Sequence, residues 1–332
     1  MSDIKVAIAI VTYRCADLTI DCLRSIEAER TTPGLQIRVI VVDNASGDAP
    51  SIAQAIEKNS WSSWVTLIEA PRNGGFSYGN NLAFQRAYDD EPPDYFHLLN
   101  PDTRILKGAI GALVRFLETH REVGIAASRL EDINDKDLAF AFRFPSIVSE
   151  FEHGLQFGLA RRVLQPWVVA IESRLEPQQI DWASGASMMI RREVLHAIGG
   201  LDENYFLYFE DTDFCFRAKK AGFSTWSVPE SRIMHISGQS TKLTGHQPVP
   251  KRIPTYWFES RRRYFVANHG LIYAIATDVV SLLANGLGFI KRLVQGRMGH
   301  GIPHLTRDLA RHSLLRPKNC KLDPIKSFVP RS

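Results

Sequence analysis

Strand-like and helix-like segments alternate through residues 5–127 and predict an α/β fold, an open, mostly parallel twisted sheet flanked by helices. Two further observations support it. Lys5–Val11 is a continuous apolar run, as expected of a strand buried on both faces of a parallel sheet, and Ile37–Val42 is a second buried strand. The 332 residues, 45% hydrophobic and 23% charged, are enough for one large or two medium domains.

After Lys5–Val11, Thr12-Tyr13-Arg14 forms a loop, and Asp17 is placed to cap a helix whose apolar side is Leu18, Cys22, Leu23 and Ile26. Ile37–Val42 ends in the polar loop Asp43–Asp48, and a helix over 50–58 follows. Val65–Glu69 is a third strand, followed by the loop Pro71–Phe76 and a helix from Asn80 to Tyr88. Tyr95–Leu99 is a fourth strand ending at Asn100-Pro101-Asp102-Thr103; a helix over 107–119 and a strand over 123–127 complete the run. Residues 128–180 have no clean period and read as an insertion of helices and loops that shapes an acceptor pocket. Order returns with strand Met188–Ile190, a helix from Arg191 to Ile198 stopped by Gly199-Gly200, and strand Thr225–Val228.

Ligands of open α/β sheets sit at the carboxyl ends of the strands, where Asp43 and Asp102 both fall. Gly74-Gly75 matches neither a GxGxxG nor a Walker loop, so a dinucleotide site or P-loop is poorly supported, and an ordinary turn is the plain alternative. The stretch Phe206–Arg217 wedges Glu210, Asp211 and Asp213 among Phe206, Tyr208, Phe209, Phe214 and Phe216. A carboxylate at an apolar wall can be tuned as a base, or can meet a metal or a sugar; Asp211 also stands where a helix begins and reads equally as an N-cap. A lone histidine such as His235 is more often structural than a ligand.

The four cysteines (Cys15, Cys22, Cys215, Cys320) have no CxxC spacing and read as reduced thiols of a cytosolic protein without a zinc site. The start, MSDIKVAIAIVTY, reads as a first strand rather than a signal peptide. The net charge of +4 is split: residues 1–254 hold 27 Lys+Arg against 32 Asp+Glu, a balance of −5, and residues 255–332 hold 13 against 4, a balance of +9. A basic tail points to an anionic surface, membrane or nucleic acid.

Several of these segments together resemble the nucleotide-sugar glycosyltransferases of family 2, with the GT-A fold, in their rhamnosyltransferase-like branch. The matches, in order, are Val11-Thr12-Tyr13, Val42-Asp43-Asn44-Ala45-Ser46, Asn73-Gly74-Gly75-Phe76 with Gly79-Asn80-Asn81, and Leu98-Leu99-Asn100-Pro101-Asp102-Thr103. Ser184-Gly185-Ala186, Phe209-Glu210-Asp211-Thr212-Asp213, and His235 with Gly238 complete the set, over roughly residues 1–270. The resemblance implies a catalytic domain over 1–255 (nucleotide half 1–127, acceptor half 128–255) and a helical region over 256–332. It implies that Asp43 holds the nucleobase or ribose, that Thr12, Tyr13, Asn73, Gly75 and Asn100 line the donor site, and that Asp102 binds a divalent ion, Mn²⁺ or Mg²⁺. Asn100 stands where most of the fold carries the first acid of an Asp-x-Asp, and His235 is the candidate to supply the missing ligand. Asp211 is implied as the catalytic base, with Glu210 and Asp213 as supports or acceptor contacts and Trp182 and Gly185 facing the sugars. Inverting transfer needs one base for the acceptor hydroxyl and one metal for the departing diphosphate.

The implied donor is dTDP-rhamnose, with UDP-hexose or galactofuranose donors as alternatives, and the implied acceptor is a cell-surface glycan or its lipid-linked precursor. A nucleotidyltransferase is the rival enzyme class, but no Gly-rich triphosphate loop followed by Lys is present. A nucleic-acid binder is disfavoured by the acidic balance of residues 1–254. In the tail, Leu271–Ile290 is long enough to cross a bilayer, but Asp278, Ser281 and Asn285 share one face and, with Lys291, Arg292 and Arg297, fit an interfacial amphipathic helix better. Packing on the domain or on a second copy of the chain is the alternative. Arg261–Arg263 are candidates to reach the donor diphosphate, or form a solvated basic patch. The location implied is cytoplasmic, peripheral on the inner face of the plasma membrane.

Overall fold

The computed structural model describes residues 3–155, 157–172, 174–236, 252–296, 302–316 and 319–330. The strands are β1 (Ile4–Thr12), β2 (Leu35–Asp43), β3 (Val65–Glu69), β4 (Tyr95–Leu99), β5 (Thr103–Ile105), β6 (Val123–Glu131), β7 (Ala141–Phe142), β8 (Gln178–Ile180), β9 (Trp182–Ala183), β10 (Ser187–Arg191) and β11 (Ser224–His235). The α-helices are α1 (Ala16–Glu29), α2 (Ala49–Lys58), α3 (Gly75–Asp90), α4 (Ala109–Thr119), α5 (Ile147–Leu155), α6 (Gly158–Val163), α7 (Arg192–Ile198), α8 (Glu210–Lys220), α9 (Thr255–His269), α10 (Leu271–Val294) and α11 (Leu305–His312).

The main sheet runs β3-β2-β1-β4-β10-β6-β11-β5, with β8 on β11. Its first half, β3-β2-β1-β4, is parallel throughout, as the unbroken apolar runs require. The second half is mixed, because β10 enters antiparallel between β4 and β6. Every side chain from Val6 to Thr12 is buried, so helices cover both faces of the central strand.

Three departures from the sequence reading shape the site. Helix α3 starts at Gly75, five residues before the expected Asn80. Gly75 adopts φ +85°, and Asn73 Oδ1 accepts its N–H at 3.1 Å, so the loop glycines themselves form the helix entry. Strand β11 runs on to His235, past the expected end at Val228. Pro229 donates no ladder hydrogen bond, and the register against β6 shifts between Val228 and Arg232, so the strand survives by bulging. The third is β5, a short strand that pairs antiparallel with the end of β11 and sets His235 opposite Thr103. Asp17 is not the cap of α1: the helix begins at Ala16, with Cys15 at the cap position and no side-chain cap.

The C-terminal region is knitted onto the sheet domain. Tyr205 shares a small core with Tyr264, Phe265, Ala274 and Leu314. Residues 323–328 lie back across the domain: Gly200 N–H donates to the Phe328 carbonyl at 2.7 Å and Glu203 N–H to the Lys326 carbonyl at 2.8 Å. Phe328 then packs on Phe84 and Tyr88. Arg261 is buried and ion-pairs with Glu150 of α5 and Asp278 of α10, both at 2.6 Å, while Asp278 also accepts Leu314 N–H at 2.7 Å. Arg263 is buried against Asp202. Arg261 and Arg263 are therefore neither a solvated patch nor a diphosphate clamp; their charges are consumed holding helices together.

Helix α10 packs on α5 and α9, the alternative the sequence left open beside a membrane-interface helix. Its polar stripe faces the protein, with Asp278, Ser281 and Asn285 all buried, and its apolar side faces out. Gly154 and Gly288 allow α5 and α10 to touch closely: a Cβ on Gly288 would meet the Gly154 carbonyl at 2.5 Å.

Candidate active site

The loops at the carboxyl ends of β2, β3 and β4 interlock with one another, with the loop before β10 and with the loop that leads into α8. Asn44, just past β2, donates from Nδ2 to the Gly75 carbonyl at 3.0 Å and accepts Gly74 N–H at 3.2 Å. Phe76 N–H donates to the Phe206 carbonyl at 2.9 Å, which joins the glycine loop to the aromatic–acid stretch. Gly185 packs on the Phe76 ring, where an added Cβ would stand 3.1 Å away. Asn100 N–H donates to the Ala186 carbonyl at 3.0 Å, tying the loop after β4 to the same wall. One hydrogen-bonded surface thus joins Asn44, Gly75, Phe206, Gly185 and Asn100.

Asp211 stands on that surface in the first turn of α8. The cap position is Phe209, so Asp211 is not an N-cap. Tyr208 and Phe209 hold φ of 70° and 67°, two successive left-handed non-glycine residues of the kind that persist where the surroundings fix a functional geometry. The Asp211 carboxylate accepts Thr212 N–H at 2.7 Å and Gly185 N–H at 3.3 Å. Burial at the wall outweighs these two donors and pushes its pKa up to about 6. Neighbouring Glu210 is buried, its Oε2 has no hydrogen-bond partner, and burial together with the adjacent Asp211 charge holds its carboxyl well above the usual range. Asp102 and His235 meet at the end of β4 and β11, with Oδ1 and Nε2 3.2 Å apart and both side chains largely buried.

A family described as "Glycosyltransferase like family 2" matches residues 4–248, which take in the whole sheet and the loops around Asp211 and Asp102. The chain belongs to glycosyltransferase family 2. This glycosyltransferase is 29% identical over 216 residues to an N-acetylglucosaminyl-diphospho-decaprenol L-rhamnosyltransferase of Mycobacterium tuberculosis, covering 62% of this chain and 68% of the relative. It is 25% identical over 166 residues to the rhamnosyltransferase WbbL of Escherichia coli, covering 49% and 61%. Among solved structures, GalNAc-T7 with UDP, GalNAc and Mn²⁺ superposes with a TM-score of 0.58 at 13% identity, over 92% of this chain and 57% of the other. The fold is therefore GT-A, and the chain spans little more than half the length of that neighbour.

In this glycosyltransferase the Asp102–His235 pair fits a divalent ion in its donor chemistry and spacing. Adjacent ligands of one octahedral ion stand about 3 Å apart, and such ions commonly take only one or two protein ligands, with substrate phosphates and water completing the shell. No group of three His, Cys, Asp or Glu side chains gathers among the described residues, so those residues alone supply a partial set. Gly238 lies outside the described residues.

The other sequence candidates divide. Thr12 is buried and hydrogen-bonded to Thr19 at 2.9 Å, while Tyr13 is half-buried under the Arg14 guanidinium. Asp43 is fully buried; Oδ1 accepts Ser46 N–H and Oδ2 accepts Ala49 N–H, each at 3.0 Å, so it braces its own loop and the start of α2. Asp213 does not face the cleft residues: its carboxylate is taken by Arg217 and Asn268 at 2.7 Å and by Tyr205 at 3.2 Å, all internal partners. Trp182 stacks on Phe142 at 4.2 Å and donates to the Arg143 carbonyl, which fixes it in the two-stranded β7–β9 sheet. Two features had no signal in the sequence. A recess of about 480 Å³ opens beside β1 and β2, lined by Arg14, Cys15, Asp17, Asp48 and Ser51, residues too far apart in the chain to share a period. Tyr256 of α9 lies against Phe206 and Tyr208, so a tail helix walls the acidic loop. A second cavity of about 130 Å³, by Arg252, Phe258 and Asp308, sits among the C-terminal helices, away from the cleft residues.

Proposed function

We propose that this glycosyltransferase inverts configuration, moving a sugar from a nucleoside-diphosphate donor to a hydroxyl of a cell-surface glycan or its lipid-linked precursor. The observation that carries the reading is Asp211: a carboxylate on the cleft wall, held by Gly185 N–H, with its pKa brought to about 6. A base of that strength is ionised at neutral pH yet still takes a proton readily. In a single displacement the acceptor oxygen bonds to the anomeric carbon, its proton passes to Asp211, and the bond to the diphosphate breaks with its electron pair leaving on the diphosphate. No covalent enzyme intermediate is needed. Asp102 and His235 would hold Mn²⁺ or Mg²⁺, which when bound supplies charge neutralisation for the diphosphate. Glu210, whose carboxyl burial and the neighbouring Asp211 charge hold well above the usual range, is the more readily protonated member of the pair. Thr12, Tyr13, Asp43, Asn73, Gly75 and Asn100 surround the donor side; Gly185 and Trp182 are assigned to the sugar side.

The rhamnosyltransferase relatives support rhamnose as the sugar transferred, and dTDP-rhamnose is the donor proposed for it. Cys15, Cys22, Cys215 and Cys320 are not joined in disulfides, in keeping with a reducing cytoplasmic compartment. The test is release of nucleoside diphosphate from dTDP-rhamnose and from UDP-hexoses, with and without Mn²⁺, by the parent and the Asp211→Asn variant. Donor turnover that D211N leaves unchanged would refute the assignment of the base.

A further inference from the structure

The outward face of α10 is built for a surface other than water. Ile272, Val279, Leu283, Leu287, Ile290 and Val294 follow one another at spacings of seven, four, four, three and four residues, a single stripe along the helix. Ile272 is 87% exposed, Leu283 63%, Ile290 56% and Val294 81%. At 1.5 Å per residue the stripe, from Ile272 to Val294, runs about 33 Å. The helix is not free to roll this stripe inward, because the Asp278–Arg261–Glu150 ion pairs and the close Gly154–Gly288 packing fix its other side.

At its C-terminal end the stripe continues onto α6. Lys291 Nζ lies 5.1 Å from the centre of the Phe157 ring, and Phe157, Val163 and Trp167 beyond it are exposed. Here the apolar surface is edged by cations. Helices α6 and α10 together contain Arg161, Arg162, Lys291 and Arg292 against one acid, Asp278, which is buried.

We propose that this face docks on the surface of an anionic lipid bilayer, with α10 lying in the interface rather than crossing it. Apolar side chains enter the acyl boundary while the flanking Arg and Lys meet lipid phosphates. A crossing helix would have to strip Asp278 from Arg261 and expose Ser281 and Asn285 to hydrocarbon. A second copy of the chain is the weaker fit, since among the described residues the one carboxylate that α6 and α10 carry, Asp278, is buried and offers nothing to another copy's cations. Because α9 both packs on α10 and sets Tyr256 and Trp257 against Phe206, Tyr208 and Phe209, docking would carry the acidic loop to the bilayer. The proposal deepens the reading of a lipid-linked acceptor, but its surface is defined without reference to the reaction.

The test is co-flotation of the full chain with vesicles of phosphatidylcholine alone and of phosphatidylcholine mixed with phosphatidylglycerol, with no donor or acceptor present. The expected result is flotation with the anionic vesicles, weakened by salt, and a fall in bound protein of about tenfold or more in the Leu283→Glu/Leu287→Glu/Ile290→Glu variant. These side chains point outward, so the variant should keep its circular dichroism and melting temperature. Leu175→Glu, exposed at 83% and off the stripe, should bind as the parent does. Three results would overturn the proposal: no flotation of the parent with either vesicle, unchanged flotation of the triple variant, or a parent dimer in light scattering that the triple variant converts to monomer. None of them bears on sugar transfer, so the docking surface and the catalytic reading can fail separately.

Discussion

Asp211 and Glu210 are adjacent acids with different environments, and that difference sets their proposed roles. Asp211 has two N–H donors and a half-open position, whereas Glu210 has a buried oxygen without a partner. Asp211→Asn is expected to lower turnover about 10²–10⁴-fold while leaving nucleotide affinity within about twofold, read by steady-state kinetics and calorimetry. A general base works ionised and the Asp211 pKa is pushed up to about 6, so if Asp211 is the base kcat/KM should fall as pH drops through about 6. An acidic limb nearer 4, the unperturbed carboxylate range, would show that burial does not tune this group. For stability the sign is opposite: a raised carboxyl pKa favours the protonated folded state, so this group's contribution is full at low pH and is lost as pH rises through about 6. The acids were legible in the sequence because they interrupt an aromatic run. The Asp102–His235 meeting was not, because it depends on a strand bulging past a proline and pairing with a three-residue strand. Nor was the internal fate of Asp213, since sequence spacing does not show which way a first-turn carboxylate faces.

At the scale of elements, the parallel half of the sheet was readable because strands buried on both faces leave unbroken apolar runs. The tail was readable only as a pattern. Its polar stripe predicts an amphipathic helix, but which side meets the protein is decided by buried partners, here Arg261 and Glu150, that lie far away in sequence. The glycine loop is the element most exposed to a single change. Gly75 needs φ +85°, and an added Cβ would land on the Phe206 carbonyl that Phe76 N–H uses. Gly75→Ala should therefore cost about 1–3 kcal/mol and lower the melting temperature, with a larger loss of donor turnover than of stability. A variant as stable and as active as the parent would show that the loop is not held by this contact.

For the whole molecule, the small core around Tyr205 and the return of residues 323–328 join the C-terminal helices to the sheet domain, so the two halves should unfold together. Arg261 is the joint that bears most on this. Arg261→Ala would leave Glu150 and Asp278 buried without their counter-charge, at an expected cost of about 3–5 kcal/mol, measurable by denaturant unfolding. Loss of under about 1 kcal/mol would mean that the helices are held mainly by packing, as expected of a solvated ion pair. The central claim, that the cleft at the ends of β4 and β11 takes a nucleoside diphosphate through an ion held by Asp102 and His235, is tested most directly by titration calorimetry of dTDP with and without Mn²⁺ on the parent and the Asp102→Ala variant. The account predicts binding that Mn²⁺ strengthens at least about tenfold in the parent and not in D102A. Equal affinity with and without the ion, or the same Mn²⁺ dependence in both proteins, would contradict it.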